Sequence, residues 1–281
     1  MPDFRPRRSV LYLPAIRESA IAKARTLDAD CVILDLEDAV APEHKDAARA
    51  AAVAAIAGGG WGHREVLVRA NGIDTGWAAA DFAAARAAGA AAAVVPKVDG
   101  AADAVRAVAM AGGLPVWAMV ETPRAILEVA AIAATPGVVA LVAGFADLAK
   151  DLRLRPDAAR TPLHASMSAI VLGARAAGIL AFDGVFMGIR DDTGMRAEAE
   201  QARMFGFDGK TLIHPSQVGI ANEVFAPSTE EMAAATGLIA AHEAAVAQGK
   251  GVTTFEGRLV EALHVESARH LLRTAEAIFR Q

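Results

Sequence analysis

Cysteine is almost absent from this 281-residue sequence: Cys31 stands alone. One thiol excludes an internal disulfide and any multi-thiolate zinc or iron–sulfur site, and it fits a reducing, cytoplasmic setting. Cys31 itself reads as a small buried apolar residue. No excess of one charge is present, with 28 basic against 33 acidic residues and a net charge of −5. No Lys/Arg run exceeds Arg7-Arg8, which argues against a nucleic-acid face or a polybasic membrane anchor. An anionic ligand would need a local basic pocket. Long apolar runs are missing as well. After the basic start, residues 10–13 are the one apolar run before Pro14, shorter than the core of a signal peptide. Residues 129–146 carry no charge, but Pro136-Gly137 interrupts them between Glu128 and Asp147. That stretch reads as helix, turn and buried strand. The seven histidines form no His-Glu-x-x-His or other close ligand pair, so a zinc hydrolase is not indicated. Neither Ser166 nor Ser168 sits in a Gly-x-Ser-x-Gly frame.

What is present is a chain 54% hydrophobic and 22% charged, with 5% aromatics, too apolar for disorder. A chain of this length buries about three-quarters of its unfolded surface and can build one large core. Short apolar runs recur at 10–13, 31–34, 66–68, 92–95, 116–120, 139–142, 180–182 and 211–213. Between them lie Ala-rich stretches of helical period at 20–27, 46–56, 77–88, 101–110, 124–133, 166–177 and 197–205, many closed by glycine. Continuous apolar strands alternating with helices predict a parallel sheet with right-handed crossovers. Eight such units predict a closed (β/α)8 TIM barrel. The alternative is a doubly wound open sheet, though no Gly-x-Gly-x-x-Gly follows the first strand.

Polar residues gather where the strands end. Asp35, Glu37 and Asp38 follow the second strand, Arg69 and Asn71 the third, and Pro96-Lys97 the fourth. Glu121 closes the fifth, Asp147 lies past the sixth, Asp183 ends the seventh and His214-Pro215 the eighth. In a barrel these ends open on one face, where active sites sit. Thr122-Pro123 reads as the cap and first residue of a helix. Glu121 precedes that cap, so its carboxylate is expected in the barrel mouth. Glu121 and Asp147 together suit a hard divalent ion such as Mg²⁺, which takes one or two carboxylates and leaves room for substrate oxygens. Lys97 reads as a substrate or ion-pair lysine kept charged by nearby carboxylates, and His214 as a hydrogen-bonded rim residue.

The motifs Ser9-Val-Leu-Tyr-Leu-Pro14, Asp35-Leu-Glu-Asp-Ala-Val40 with Lys45 and Arg49, Leu67-Val-Arg-Ala-Asn71, Pro96-Lys97-Val98, Glu121-Thr-Pro123, Gly144-Phe-Ala-Asp-Leu148 and Gly206-Phe-Asp-Gly-Lys-Thr-Leu-Ile-His-Pro215 stand in this order. Together they resemble the HpcH/HpaI aldolase and citrate lyase beta-subunit family. The resemblance runs from about Arg8 to Ala268. It implies a barrel over 1–225 and a C-terminal helical extension over 226–281 that crosses to a neighbouring subunit of a homotrimer or hexamer. It further implies Mg²⁺ on Glu121 and Asp147, Arg69 beside the metal as catalytic and substrate-binding residue, and Lys97 and Glu121 contacting substrate. Asp38 is implied as a candidate base, while Arg17, Lys23, Lys45 and Arg49 are expected to contact coenzyme A. The segment Phe255-Glu-Gly-Arg-Leu-Val-Glu261 resembles the one that supplies a catalytic aspartate across the subunit boundary, with Glu261 in its place. A second departure is Ala15, where the family has glycine. No histidine stands near the second strand, which points to the coenzyme A branch. The activity implied is Mg²⁺-dependent cleavage of a malyl-, citramalyl- or citryl-coenzyme A into an acyl-coenzyme A and an α-keto acid. The alternatives are a citrate lyase beta subunit acting on a carrier-protein thioester, a malyl-coenzyme A thioesterase, and a non-catalytic thioester-binding protein.

Overall fold

The computed structural model describes residues 5–280. The chain divides into two compact units, Arg7–Phe225 and a C-terminal unit that begins at Ala226. The first unit is a closed barrel of eight parallel strands in sequence order, with β8 hydrogen-bonded back to β1. The strands are β1 (Ser9–Pro14), β2 (Cys31–Asp35), β3 (Glu65–Arg69), β4 (Ala93–Val95), β5 (Val116–Val120), β6 (Val138–Ala143), β7 (Leu180–Asp183) and β8 (Gly209–Leu212). The closed barrel, not the open sheet, is the fold. The helices between them are α1 (Glu18–Ala24), α2 (Lys45–Ala57), α3 (Ala78–Ala88), α4 (Ala101–Ala111), α5 (Pro123–Leu127), α6 (Val129–Ala133), α7 (Phe145–Asp151), α8 (His164–Ala177), α9 (Asp192–Phe205) and α10 (Ser216–Phe225).

Two differences from the sequence reading have local causes. The single helix expected over 124–133 is broken at Glu128, whose φ of −100° and ψ of 6° interrupt the helical path between α5 and α6. The helix α7 falls in a stretch where the motif, rather than periodicity, drew attention. Thr122 does cap α5, its hydroxyl accepting the Ala125 N–H at 3.1 Å, with Pro123 in the first turn. Cys31 is fully buried.

Side chains alternate along each strand, so one phase fills the barrel and the other packs under the helices. Val10, Cys31, Ile33, Leu67, Val94, Trp117, Met119, Val142 and Phe182 form the inner cluster, with Trp117 and Phe182 stacked at 4.4 Å. Leu11, Val32, Leu34, Val68, Ala118, Leu141, Ala181 and Leu212 belong to the larger layer between sheet and helices. Continuing the inner phase by two residues reaches Asp35 on β2, Arg69 on β3 and Glu121 past β5. The fold thus aims these three side chains into the mouth.

The C-terminal unit pairs α11 (Thr229–Ala247) with α12 (Ala262–Phe279), joined through the antiparallel hairpin of β9 (Thr253–Phe255) and β10 (Arg258–Val260). Glu256 and Gly257 form its two-residue turn with φ of 48° and 75°, the left-handed pair that such hairpins need. Among the described residues no helix is long and apolar enough to cross a membrane.

Candidate active site

At the C-terminal end of the strands lies a cavity of about 450 Å³, lined among others by Tyr12, Asp35, Asp38, Arg69, Glu121 and Asp147. Arg69 is its central cation. It meets Asp35 as a fork, Nε to Oδ1 at 2.7 Å and an NH₂ nitrogen to Oδ2 at 2.6 Å. Its remaining terminal nitrogen lies 2.8 Å from Glu37 Oε2, and its guanidinium stands 5.0 Å from the Tyr12 ring centroid. Burial opposes the Arg69 charge, yet the Asp35 hydrogen bonds and charge raise its pKa above the ordinary arginine value. Such a planar two-point pair fixes the orientation of the guanidinium. Asp35 also accepts the Glu37 N–H at 2.9 Å and the Ala39 N–H at 3.2 Å, folding the acidic turn over the end of β2.

Glu121 is 2% exposed and accepts the Lys97 backbone N–H at 2.7 Å. Lys97 holds a left-handed φ of 56°, uncommon for a side-chain-bearing residue. That conformation aims the amide at the Glu121 carboxylate. Burial pushes the Glu121 carboxyl up to about 7, the Lys97 amide pulling against it and the negative charges of Glu37 and Asp147 adding to it. Gly144 makes room for this carboxylate: a Cβ there would strike Glu121 Cβ and stand 2.6 Å from Oε2. Directly after Gly144, α7 carries Asp147 in its first turn. Lys97 Nζ lies 3.3 Å from Glu37 Oε1; burial works against its charge, but Glu37 holds its pKa above the ordinary lysine value. The Glu37 carboxyl is itself raised by burial, against the pull of Arg69.

The structure therefore brings Asp35, Glu37, Asp38, Arg69, Lys97, Glu121 and Asp147 to one end of the barrel. Asp183 ends β7 on the same side but does not line the cavity. Asp183 is out of phase with the inward-facing Phe182, and its carboxylate takes Lys210 Nζ at 2.6 Å and Arg160 at 2.9 Å under the helices. Lys45 and Arg49 also depart from expectation. The Lys45 ammonium is buried and donates to the Leu36 and Glu37 carbonyls at 2.8 and 2.7 Å. Arg49 Nε donates to Asp81 and a terminal nitrogen to Asp46, both at 2.7 Å. The Lys45 ammonium and the Arg49 Nε–H are thus engaged by acceptors within the protein. Arg17 and Lys23 are exposed, at the N-cap and in the last turn of α1. Glu261 is the N-cap residue of α12, its N–H donating to His264 Nδ1 at 3.0 Å. His214 shares a 2.8 Å hydrogen bond with Ser216.

Two features went unread in the sequence. Asp81, fully buried, accepts the Asn71 N–H and amide as well as Arg49. The cluster Arg160, Asp183, Glu198 and Lys210 lies beneath β7 and β8. A usable signal for the second existed: Asp183 and Lys210 are opposite charges on adjacent apolar strands, and they stand in register.

The chain is similar to known proteins over nearly its whole length. The chain is 48% identical over 275 residues to the (3S)-malyl-CoA thioesterase of Cereibacter sphaeroides (strain KD131 / KCTC 12085), covering 97% of this chain and 96% of that protein. It is 35% identical over 308 residues to the L-malyl-CoA/beta-methylmalyl-CoA lyase of Cereibacter sphaeroides (strain ATCC 17029 / ATH 2.4.9), covering 99% and 97%. Among solved structures, protein CitE from Mycobacterium tuberculosis in complex with magnesium, acetoacetate and coenzyme A superposes with a TM-score of 0.80 at 33% identity, covering 97% of this chain and 98% of that one. Residues 8–215 match the HpcH/HpaI aldolase/citrate lyase family, and with these relatives spanning nearly its whole length, the chain belongs to that family.

Proposed function

We propose that this protein is a magnesium-dependent enzyme acting on a malyl-type 3-hydroxyacyl-coenzyme A, and that its net reaction is hydrolysis of the thioester. The observation that carries the substrate class is Arg69 beside the carboxylates of Glu121 and Asp147 in one cavity. Two hard carboxylates with open volume around them are a donor set that suits Mg²⁺. Glu121 fits the role further, since its buried, proton-retaining carboxyl gains from a cation. When bound, the ion would polarise the substrate oxygens it contacts.

The protein's own groups supply the rest. Arg69, locked by Asp35, presents a fixed positive charge to an oxygen on which negative charge develops. Asp38 is exposed at the cavity wall and, among the described residues, has no hydrogen-bond or ion-pair partner. It is the carboxylate free to take a proton from an attacking water. The water oxygen bonds to the thioester carbonyl carbon, the carbon–sulfur bond breaks, and the departing sulfur takes a proton from a carboxylic acid, the role expected of Glu261, so that coenzyme A leaves as the thiol. Exposed Arg17 and Lys23 suit the phosphates of that cofactor. Hydrolysis is favoured over carbon–carbon cleavage by the deeper full-length similarity to the thioesterases, 48% against 35% for the lyases.

The second reading is the lyase, which the same arginine and carboxylates can serve. Incubation with Mg²⁺ and (3S)-malyl-coenzyme A separates the two. Free thiol without keto acid is the expected result. Keto acid with intact acyl-coenzyme A would establish the lyase instead, and the absence of both products would sink both readings.

A further inference from the structure

Lys45 and Arg49 stand one helical turn apart on α2, so their side chains leave the same face. Each reaches a different loop at the mouth of the barrel. Lys45 is 6% exposed and sends its ammonium to two consecutive carbonyls, Leu36 at 2.8 Å and Glu37 at 2.7 Å. The Trp77 ring, 5.5 Å from the ammonium, covers it. The Leu36–Glu37 peptide so held is the turn that carries Asp35 on one side and the Glu37 carboxylate on the other. Arg49 works through a buried carboxylate. It donates to Asp81 Oδ1 at 2.7 Å, while Asp81 Oδ2 accepts the Asn71 N–H at 3.0 Å and the Asn71 side-chain amide at 2.6 Å. Asn71 lies two residues beyond Arg69.

The two chains of contacts therefore end on opposite sides of one group. Lys45 fixes the turn whose carboxylates grip the Arg69 guanidinium, and Arg49 fixes the backbone that follows Arg69. Helix ends and loops at a barrel mouth are the parts most free to shift. A buried ammonium on paired carbonyls and an arginine relay through the fully buried Asp81 both resist such shifts, because breaking either leaves a buried charge, Lys45 or Asp81, without its partner.

We infer that Lys45 and Arg49 are positioning residues: together they clamp the β2 and β3 loops so that Arg69 is held at the reacting site, rather than touching the cofactor. This rests on the reading of Arg69 as the active-site cation. Misplacing a group of this kind by about 1 Å can cost on the order of a hundredfold in rate.

The sole tyrosine of the chain, Tyr12, lies under the Arg69 guanidinium and gives a reporter that needs no turnover. In protein labelled with 3-fluorotyrosine, a single ¹⁹F resonance reads the charge above that ring. Lys45→Met and Arg49→Met are expected to shift or broaden this resonance and to lower kcat by about a hundredfold. The affinity for coenzyme A and its salt dependence should stay at the wild-type values. Arg49→Lys, which keeps a cation against Asp81, should recover most of both the resonance and the rate. Arg49 is partly exposed, so its variants test the clamp even if the buried Lys45 variant does not fold. An unmoved resonance in Arg49→Met would overturn the inference, as would weakened coenzyme A binding with a shallower salt dependence. Absence of turnover by the wild type would refute the proposed reaction and leave the resonance test of the clamp intact.

Discussion

At the residue scale, Glu121 concentrates the physics of the site. Its carboxyl is pushed up to about 7 from an ordinary 4.5, chiefly by burial. A carboxyl whose folded pKa is raised contributes stability that is fully present below its unfolded pKa and is lost as pH rises through the folded value. The metal-free protein is therefore expected to lose on the order of 3 kcal/mol between pH 4.5 and about 7. Denaturant unfolding without metal should show this slope, and Glu121→Gln should flatten it; equal slopes would place the proton elsewhere. A cation must displace that proton, so Mg²⁺ affinity should weaken about tenfold per pH unit below the Glu121 midpoint, as calorimetry can measure. Gly144 supplies a second expectation. Its missing Cβ is the space occupied by Glu121, so Gly144→Ala should push the carboxylate aside and abolish Mg²⁺ binding while the barrel stays folded. Wild-type Mg²⁺ affinity in that variant would show that the Glu121 carboxylate can bind from another position.

At the element scale, β7 and β8 show how strand phase assigns charges to opposite jobs. Thr211 lines the cavity, whereas its neighbour Lys210 is 0% exposed and bonded to Asp183, Glu198 and the Gly184 carbonyl, each at 2.6 Å. Arg160 completes the cluster and lies 5.7 Å from the Phe145 ring at the start of α7. Removing one partner from a buried charged network leaves the others uncompensated. Lys210→Met should accordingly cost about 3–5 kcal/mol, read as a lower urea midpoint of the barrel transition. A wild-type midpoint would mean that Arg160 alone satisfies both acids. The motif that contains Lys210 was visible in the sequence, but its direction was not, because a one-residue difference in phase reverses the face on which a side chain stands.

At the scale of the whole molecule, the barrel supplies Arg69, Glu121 and Asp147, and the C-terminal unit carries Glu261 at the N-cap of α12. We expect a homo-oligomer in which Glu261 acts at the site of a neighbouring subunit as a proton donor. A general acid contributes about a hundredfold to ten-thousandfold, so Glu261→Gln should keep Mg²⁺ and thioester binding while losing turnover within that range. Mixing inactive Glu261→Gln with inactive Glu121→Ala protein, after subunit exchange, should restore part of the activity. Near wild-type turnover by Glu261→Gln would reduce this residue to a helix cap, and failure to complement after proven exchange would refute a shared site.

The sequence by itself determined the alternation of apolar strands with alanine-rich helices, and hence a barrel whose strand ends share one face. It also marked Arg69, Glu121 and Asp147, because charges that interrupt apolar strands must gather where those strands end. The tertiary structure decided what each charge faces. The family resemblance implied Lys45 and Arg49 as cofactor contacts; the packing of α2 against the β2 and β3 loops gives them partners inside the protein, the Leu36 and Glu37 carbonyls and Asp81. Asp183 looked like a mouth residue because it ends a strand, and its phase sent it under the helices. Partners of this kind come from elements distant along the chain. Their pairing is set by the closure of the barrel and the packing of its helices, which no local pattern of residues encodes.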